Sequence, residues 1–179
     1  MDSKTYIGRL KEVLDAFPHE QFSRMMELFV AAPPHKIFVM GNGGSAATAS
    51  HWTCDINKCC RRGDNRFRMF CLNDNVPSLM AYANDLSFED VFVEQLKGLL
   101  EPGDLVIGIS GSGNSMNVVR ALEYAKAAGA KTIGIVGFSG GRLAAVVDVA
   151  VHIDVNDMQL VEDTHTVMMH MCMKQLLSY

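Results

Sequence analysis

Five short apolar runs punctuate this chain, at residues 36–40, 67–71, 104–109, 131–136 and 149–153, and segments of helical spacing separate them. Runs of roughly four to eight apolar residues have the length of buried strands. Long helix-spaced segments between them rule out hairpins and leave parallel pairing through crossovers. Crossovers of one hand place helices on both sides of the sheet. The expected fold class is therefore α/β, with a doubly wound, five-stranded parallel sheet of the flavodoxin-like type. Core helices are expected over 45–59, 76–83, 88–100, 115–128 and 159–177, with a short one after Gly140-Gly141. Two more precede the first strand. Tyr6, Leu10, Val13, Leu14 and Phe17 share a helical face, as do Phe22, Met25, Met26 and Phe29, and Pro33-Pro34 ends the second. The 179 residues contain no repeat or long linker and suit one domain, 1–179, with a helical N-terminal part at 1–32 and an α/β core at 36–179.

Charge and cysteine usage narrow the class. A formal net charge of −4 gives no footprint for nucleic acid or an acidic membrane surface. No apolar run approaches the ~18 residues of a membrane span, and the polar start Met1-Asp2-Ser3-Lys4 has no apolar signal-peptide core behind it. Five cysteines, an odd number without a CxxC pair, read as free thiols in a reducing compartment, so a cytoplasmic location is expected. Arg61, Arg62, Arg66 and Arg68 read as a solvated basic loop, and the methionines of the last helix as packing residues.

Open α/β sheets bind ligands beyond the carboxyl ends of their strands, at the point where strand order reverses. Two Gly-rich turns stand at such strand ends. The third run leads into Ile109-Ser110-Gly111-Ser112-Gly113-Asn114-Ser115 and then a helix. Its three hydroxyls, its two glycines and the free N–H groups of the following helix suit a phosphate group. The loop has no lysine, so it is not a nucleotide P-loop, and it lacks the G-x-G-x-x-G of dinucleotide sites. Ser115 alone would be an ordinary helix N-cap, but a cap needs only one hydroxyl. The first run leads into Gly41-Asn42-Gly43-Gly44-Ser45, where Asn42 suits sugar hydroxyls or a left-handed turn.

Together with Ala83-Asn84-Asp85, these two loops resemble the sugar isomerase (SIS) domain family, and in it the phosphoheptose isomerase branch. The resemblance runs through the whole chain, including the two N-terminal helices. It implies an isomerase that interconverts sedoheptulose 7-phosphate and D-glycero-D-manno-heptose 7-phosphate through an ene-diol, in a homotetramer with sites between subunits. It implies phosphate binding by Ser110, Gly111, Ser112 and Ser115, and sugar contacts from Asn42, Gly43, Gly44, Ser45, Asn84 and Asp85. A zinc ion would be held by His51, Asp55, Glu162 and His170. Asp55 and His170 match the acid/base pair, and Glu162 is a second carboxylate that could act as the base. Three positions depart from the family pattern: Ala46 where His is common, Asp55 where Glu is usual, and Glu162 in place of Gln.

Spacing alone supports this set unevenly. His51 and Asp55, at i and i+4, share a helix face and by themselves read as a surface ion pair. Glu162 and His170 are eight residues apart, about 12 Å along a helix, so their pairing rests on the resemblance. His165 is the nearer partner for Glu162. Two further readings are a non-catalytic SIS protein that binds a replication initiator, which the segment Cys71-Leu72-Asn73-Asp74-Asn75-Val76 also resembles, and an isomerase of a different phosphosugar. The retention of His170 favours an enzyme.

Overall fold

The computed structural model describes residues 1–62 and 65–178. The chain forms α1 (Ser3–Asp15), α2 (His19–Ala31), β1 (Lys36–Gly41), α3 (Gly44–Cys59), two short antiparallel strands β2 (Arg61–Arg62) and β3 (Asn65–Arg66), then β4 (Arg68–Cys71). It continues with α4 (Val76–Asp85), a 3₁₀ turn at Phe88–Asp90, α5 (Val91–Lys97), β5 (Leu105–Ser110), α6 (Met116–Ala127), β6 (Lys131–Val136), α7 (Gly141–Val146), β7 (Val149–His152) and α8 (Met158–Leu176). The side chains of Arg61 and Arg62, from the basic loop, lie outside the described residues.

The main sheet is five-stranded and parallel, in the order β4-β1-β5-β6-β7. The second strand of the sheet lies beside the first on one side, and the third, fourth and fifth follow on the other. The order therefore reverses between β1 and β5, and the crevice beyond their ends is the expected ligand position. Alternate residues of the strands build two cores. On one face Ile37, Val39, Ile107, Ile109, Ile133 and Ile135 meet Phe29, Trp52, Ile56, Met168, Met169 and Cys172 from α2, α3 and α8. On the other, Phe38, Met40, Val106 and Val136 meet Phe92, Leu96, Val118, Leu122 and Leu143 from α5, α6 and α7. Strands buried on both faces explain why these runs are apolar without alternation.

The two N-terminal helices differ in their packing. α2 buries Phe22, Met25, Met26 and Phe29 and belongs to the first core. α1 buries no residue fully. It is tied to α8 by polar contacts: the Tyr6 hydroxyl donates to Asp163 Oδ2 at 2.6 Å, and Arg9 pairs with Asp157 at 3.0 Å. All five cysteines are free thiols, with Cys54 and Cys59 exposed and Cys60, Cys71 and Cys172 buried. Burial pushes the Cys60 thiol up to about 11 and that of Cys71 to about 12, which leaves both protonated and unreactive. No described helix is long and apolar enough to cross a membrane.

Candidate active site

The turns after β1 and β5 converge on one cleft of about 260 Å³, lined by Asn42, Gly43, Gly44, Ser45, Ser110, Gly111, Ser112, Ser115, Met158 and Glu162. Both are strand-to-helix turns, so the N-termini of α3 and α6 stand at its wall. Their unpaired N–H groups and partial positive charge favour an anion there.

The serine loop is held in shape by its neighbours. Gly113, at φ +67°, turns the chain, and its N–H donates to the Ser110 carbonyl at 3.0 Å. Gly137 N–H donates to the Gly111 carbonyl and Leu143 N–H to the Gly113 carbonyl. Ser115 occupies the N-cap position of α6, yet its side chain makes no capping bond. Its hydroxyl instead accepts from the Ser110 hydroxyl at 3.1 Å, on the lining of the cleft. The local-cap explanation of Ser115 therefore does not account for its side chain.

In the first loop, Gly43 and not Asn42 takes the positive backbone angle, φ +54°. A side chain at Gly41 would meet Ser45 Cβ at 2.7 Å and the Ile109 carbonyl at 2.9 Å, so β1, its helix and β5 approach too closely for any other residue. A Cβ on Gly44 would lie 2.5 Å from both carboxylate oxygens of Glu162. The Glu162 carboxylate thus rests over the first turn of α3.

α3 and α8 run side by side in the same direction. Glu162 faces the start of α3, and His170, two turns on, faces its middle. There His51 Nε2 lies 3.4 Å from Asp55 Oδ2, His170 Nε2 lies 3.9 Å from the same oxygen, and the two imidazole rings meet edge-on with centroids 5.2 Å apart. One donor atom from each of His51, Asp55 and His170 falls within 4.8 Å of the others. Two imidazoles and a carboxylate form a zinc-type donor set. Ligands at zinc bond lengths in a tetrahedron stand about 3.3 Å apart, close to the separations seen. The three side chains fit a zinc ion with one coordination position left open. Both imidazoles are about half exposed, so the cluster is open to solvent and substrate.

The structure thus brings together nine of the expected residues at the cleft and three at the His/Asp cluster. Glu162 stands at the cleft, apart from the three donors. Asn84 and Asp85 lie in the last turn of α4, bonded to each other at 2.8 Å, and do not line the cleft of this chain. Two further residues had no role assigned from the sequence. Asn117, in the first turn of α6, exchanges two 2.9 Å hydrogen bonds with Asn42. Asn73, just after β4, holds both backbone groups of Gly41. An amide two residues from a cap serine was the only sign of Asn117.

The SIS domain profile matches residues 5–137, most of the chain. The chain belongs to the SIS domain family. Within this SIS family it falls on the phosphoheptose isomerase branch. It is 40% identical over 175 residues to the phosphoheptose isomerase of Geotalea daltonii, covering 93% of this chain and 90% of that protein. It is 39% identical over 169 residues to that of Trichlorobacter lovleyi, covering 94% and 85%. The phosphoheptose isomerase structure from Neisseria gonorrhoeae superposes with a TM-score of 0.87 at 29% identity, over 96% of this chain and 92% of the other. The SIS fold thereby accounts for the strand order, and the serine loop sits at its topological switch point.

Proposed function

We propose that this SIS protein interconverts sedoheptulose 7-phosphate and D-glycero-D-manno-heptose 7-phosphate through an ene-diol. The observation that carries the reading is the His51–Asp55–His170 cluster, set two helical turns from a serine-lined anion cleft. Anchoring and chemistry are separated by about 12 Å along α8, a span for an open chain and not for a compact anion. Ser110, Ser112, Ser115 and the N-terminus of α6 hold the phosphate, and the Asn42–Ser45 turn borders the sugar.

Isomerisation moves a proton from C1 to C2 and another between O1 and O2. Both transfers occur at one end of the substrate, so base and acid must stand together. Asp55 and His170 meet this condition, and Glu162 does not. We assign Asp55 to the carbon-bound proton and His170 to the oxygen-bound one. His51, Asp55 and His170 would hold a zinc ion, which would supply Lewis-acid polarisation of the sugar carbonyl.

A homotetramer completes the reading. α4 has no fully buried residue, and Met80, Leu86, Phe88, Val76 and Phe70 form exposed apolar surface on and around it. Such surface is characteristic of subunit contact. A neighbouring copy docked there would bring Asn84 and Asp85 to a cleft that they do not reach within one chain. A cytoplasmic location accords with the free thiols.

The test is direct. Purified protein, with and without added zinc, is offered a panel of ketose phosphates of different lengths. Conversion of the seven-carbon substrate above the others supports the reading. Conversion of a shorter phosphosugar alone replaces the substrate, and no conversion by folded protein removes the enzyme.

A further inference from the structure

The turn that borders the sugar is braced from both sides by carboxamides. From the β5 side, Asn117 Nδ2 donates to Asn42 Oδ1 and Asn42 Nδ2 donates to Asn117 Oδ1, each at 2.9 Å. From the β4 side, Gly41 N–H donates to Asn73 Oδ1 at 3.1 Å, and Asn73 Nδ2 donates to the Gly41 carbonyl at 2.8 Å. Asn117 is buried, at 2% exposure, and its Oδ1 also accepts from Val118 N–H at 3.0 Å. Its rotamer is thereby fixed before Asn42 is considered.

These bonds have a geometric consequence. Asn73 continues the β1–β4 pairing one rung past the last strand residue, using a side chain in place of backbone. Asn117 sits two residues after Ser115, so the reciprocal amide pair joins the sugar-side turn to the helix whose N-terminus faces the phosphate. The β1–β5 ladder sets the spacing of the two ligand-binding turns as far as Gly41 and Ile109, and the amide pair carries that spacing past the strand ends. The pair also occupies one donor and the acceptor of Asn42, which directs that side chain at protein and leaves the turn's backbone to face the ligand.

We propose that Asn117 and Asn73 are positioning residues, which hold the 41–44 turn at a fixed distance from the serine loop and so govern sugar recognition without touching phosphate. The proposal rests on the isomerase reading for its kinetic readout, and has an independent readout in the ligand-free protein.

The experiment is a double-mutant cycle on Asn42→Ala and Asn117→Ala, with Asn73→Ala as a separate arm. Binding of inorganic phosphate, kinetics with sedoheptulose 7-phosphate, and amide hydrogen exchange of the 42–46 peptide are measured for each. We expect Asn117→Ala to lower kcat/KM for the sugar phosphate about tenfold or more, since a lost buried hydrogen-bond pair is of that magnitude. Inorganic phosphate affinity should change less than twofold, and exchange at 42–46 should speed up several-fold in the ligand-free protein. The Asn42/Asn117 double variant should be no worse than either single one, and Asn73→Ala should show the same split. Multiplying losses in the cycle, or phosphate affinity falling as far as sugar affinity, would overturn the proposal. If Asn117→Ala does not fold, Asn42→Ala decides: faster exchange at 42–46 supports the brace, and unchanged exchange contradicts it. If the wild-type protein turns over no sugar phosphate, the isomerase reading fails, and the exchange data still decide whether the brace exists.

Discussion

His170 Nε2 stands 3.9 Å from Asp55 Oδ2, a contact that joins two parallel helices from opposite ends of the α/β core. If the pair performs the two proton transfers, its loss should strike turnover and spare anchoring. His170→Ala should lower kcat by about 10²–10⁴-fold, the usual worth of a positioned acid/base group. Its affinity for inorganic phosphate, measured calorimetrically, should stay within twofold of wild type. A variant that keeps its kcat would remove His170 from the chemistry.

Asp55 and Glu162 divide on the same logic. Asp55→Asn should abolish turnover at saturating substrate. Glu162 adds a negative charge to an anion cleft, where it rests over Gly44. In an open cleft fully screened by water, a charge of like sign about 4 Å from an anion costs about 1 kcal/mol. Glu162→Gln should therefore tighten inorganic phosphate binding about fivefold while leaving kcat within a few-fold. A loss of kcat equal to that of Asp55→Asn would make Glu162 the base instead.

The serine loop predicts a complementary pattern. Ser115 makes no capping bond to its own helix, and its hydroxyl faces the cleft beside Ser110. A hydrogen bond to a charged group contributes about 1.5–3 kcal/mol. Ser115→Ala should raise the Kd for inorganic phosphate about tenfold or more with little change in melting temperature. Unchanged phosphate affinity would place the anion elsewhere.

Metal binding is expected to depend on the helix cluster and to be separable from folding. Its two imidazoles are about half exposed, and none of the three residues belongs to either apolar core. Metal analysis should find zinc bound by wild-type protein and lost from His51→Ala, with melting temperatures of the zinc-free forms within a few degrees. Equal zinc content in both proteins would exclude His51 as a ligand.

Much of this was legible in the sequence, and the reason is local. Strands buried on both faces must be continuous apolar runs, so β1, β5 and β6 announce themselves. A strand-to-helix turn that approaches a ligand needs glycine, which marks Gly41 to Gly44 and Gly111 to Gly113. What was not legible depends on register between elements. Whether Glu162 or His170 meets Asp55 depends on how far α8 slides along α3, which no spacing within either helix reports. The Asn42–Asn117 pair likewise arises from the separation of β1 and β5. Nor does a polar residue such as Asn73 after a short strand reveal that it will extend the ladder.

Acid should expose a group that the reaction does not use. His165, at 1% exposure on α8, is pushed down to about 4 because burial disfavours the imidazolium form. Its folded-state pKa lies below the unfolded value of about 6.5, so the unfolded chain binds the extra proton first. The neutral imidazole's contribution is fully present above about pH 6.5 and is lost as pH falls towards 4. The unfolding free energy from denaturant titrations should fall over that window by an amount on the order of 1–3 kcal/mol, and His165→Gln should flatten the slope. An equal slope in the variant would assign the acid lability to other groups.

The central claim is that this fold moves a proton between C1 and C2 of an open-chain seven-carbon sugar phosphate. The most direct measurement is turnover of sedoheptulose 7-phosphate in deuterated water, followed by proton NMR. The account predicts an aldose product carrying deuterium at C2, formed by wild-type protein and not by His170→Ala. An absence of product from folded, zinc-supplied protein, or equal turnover by His170→Ala, would contradict it.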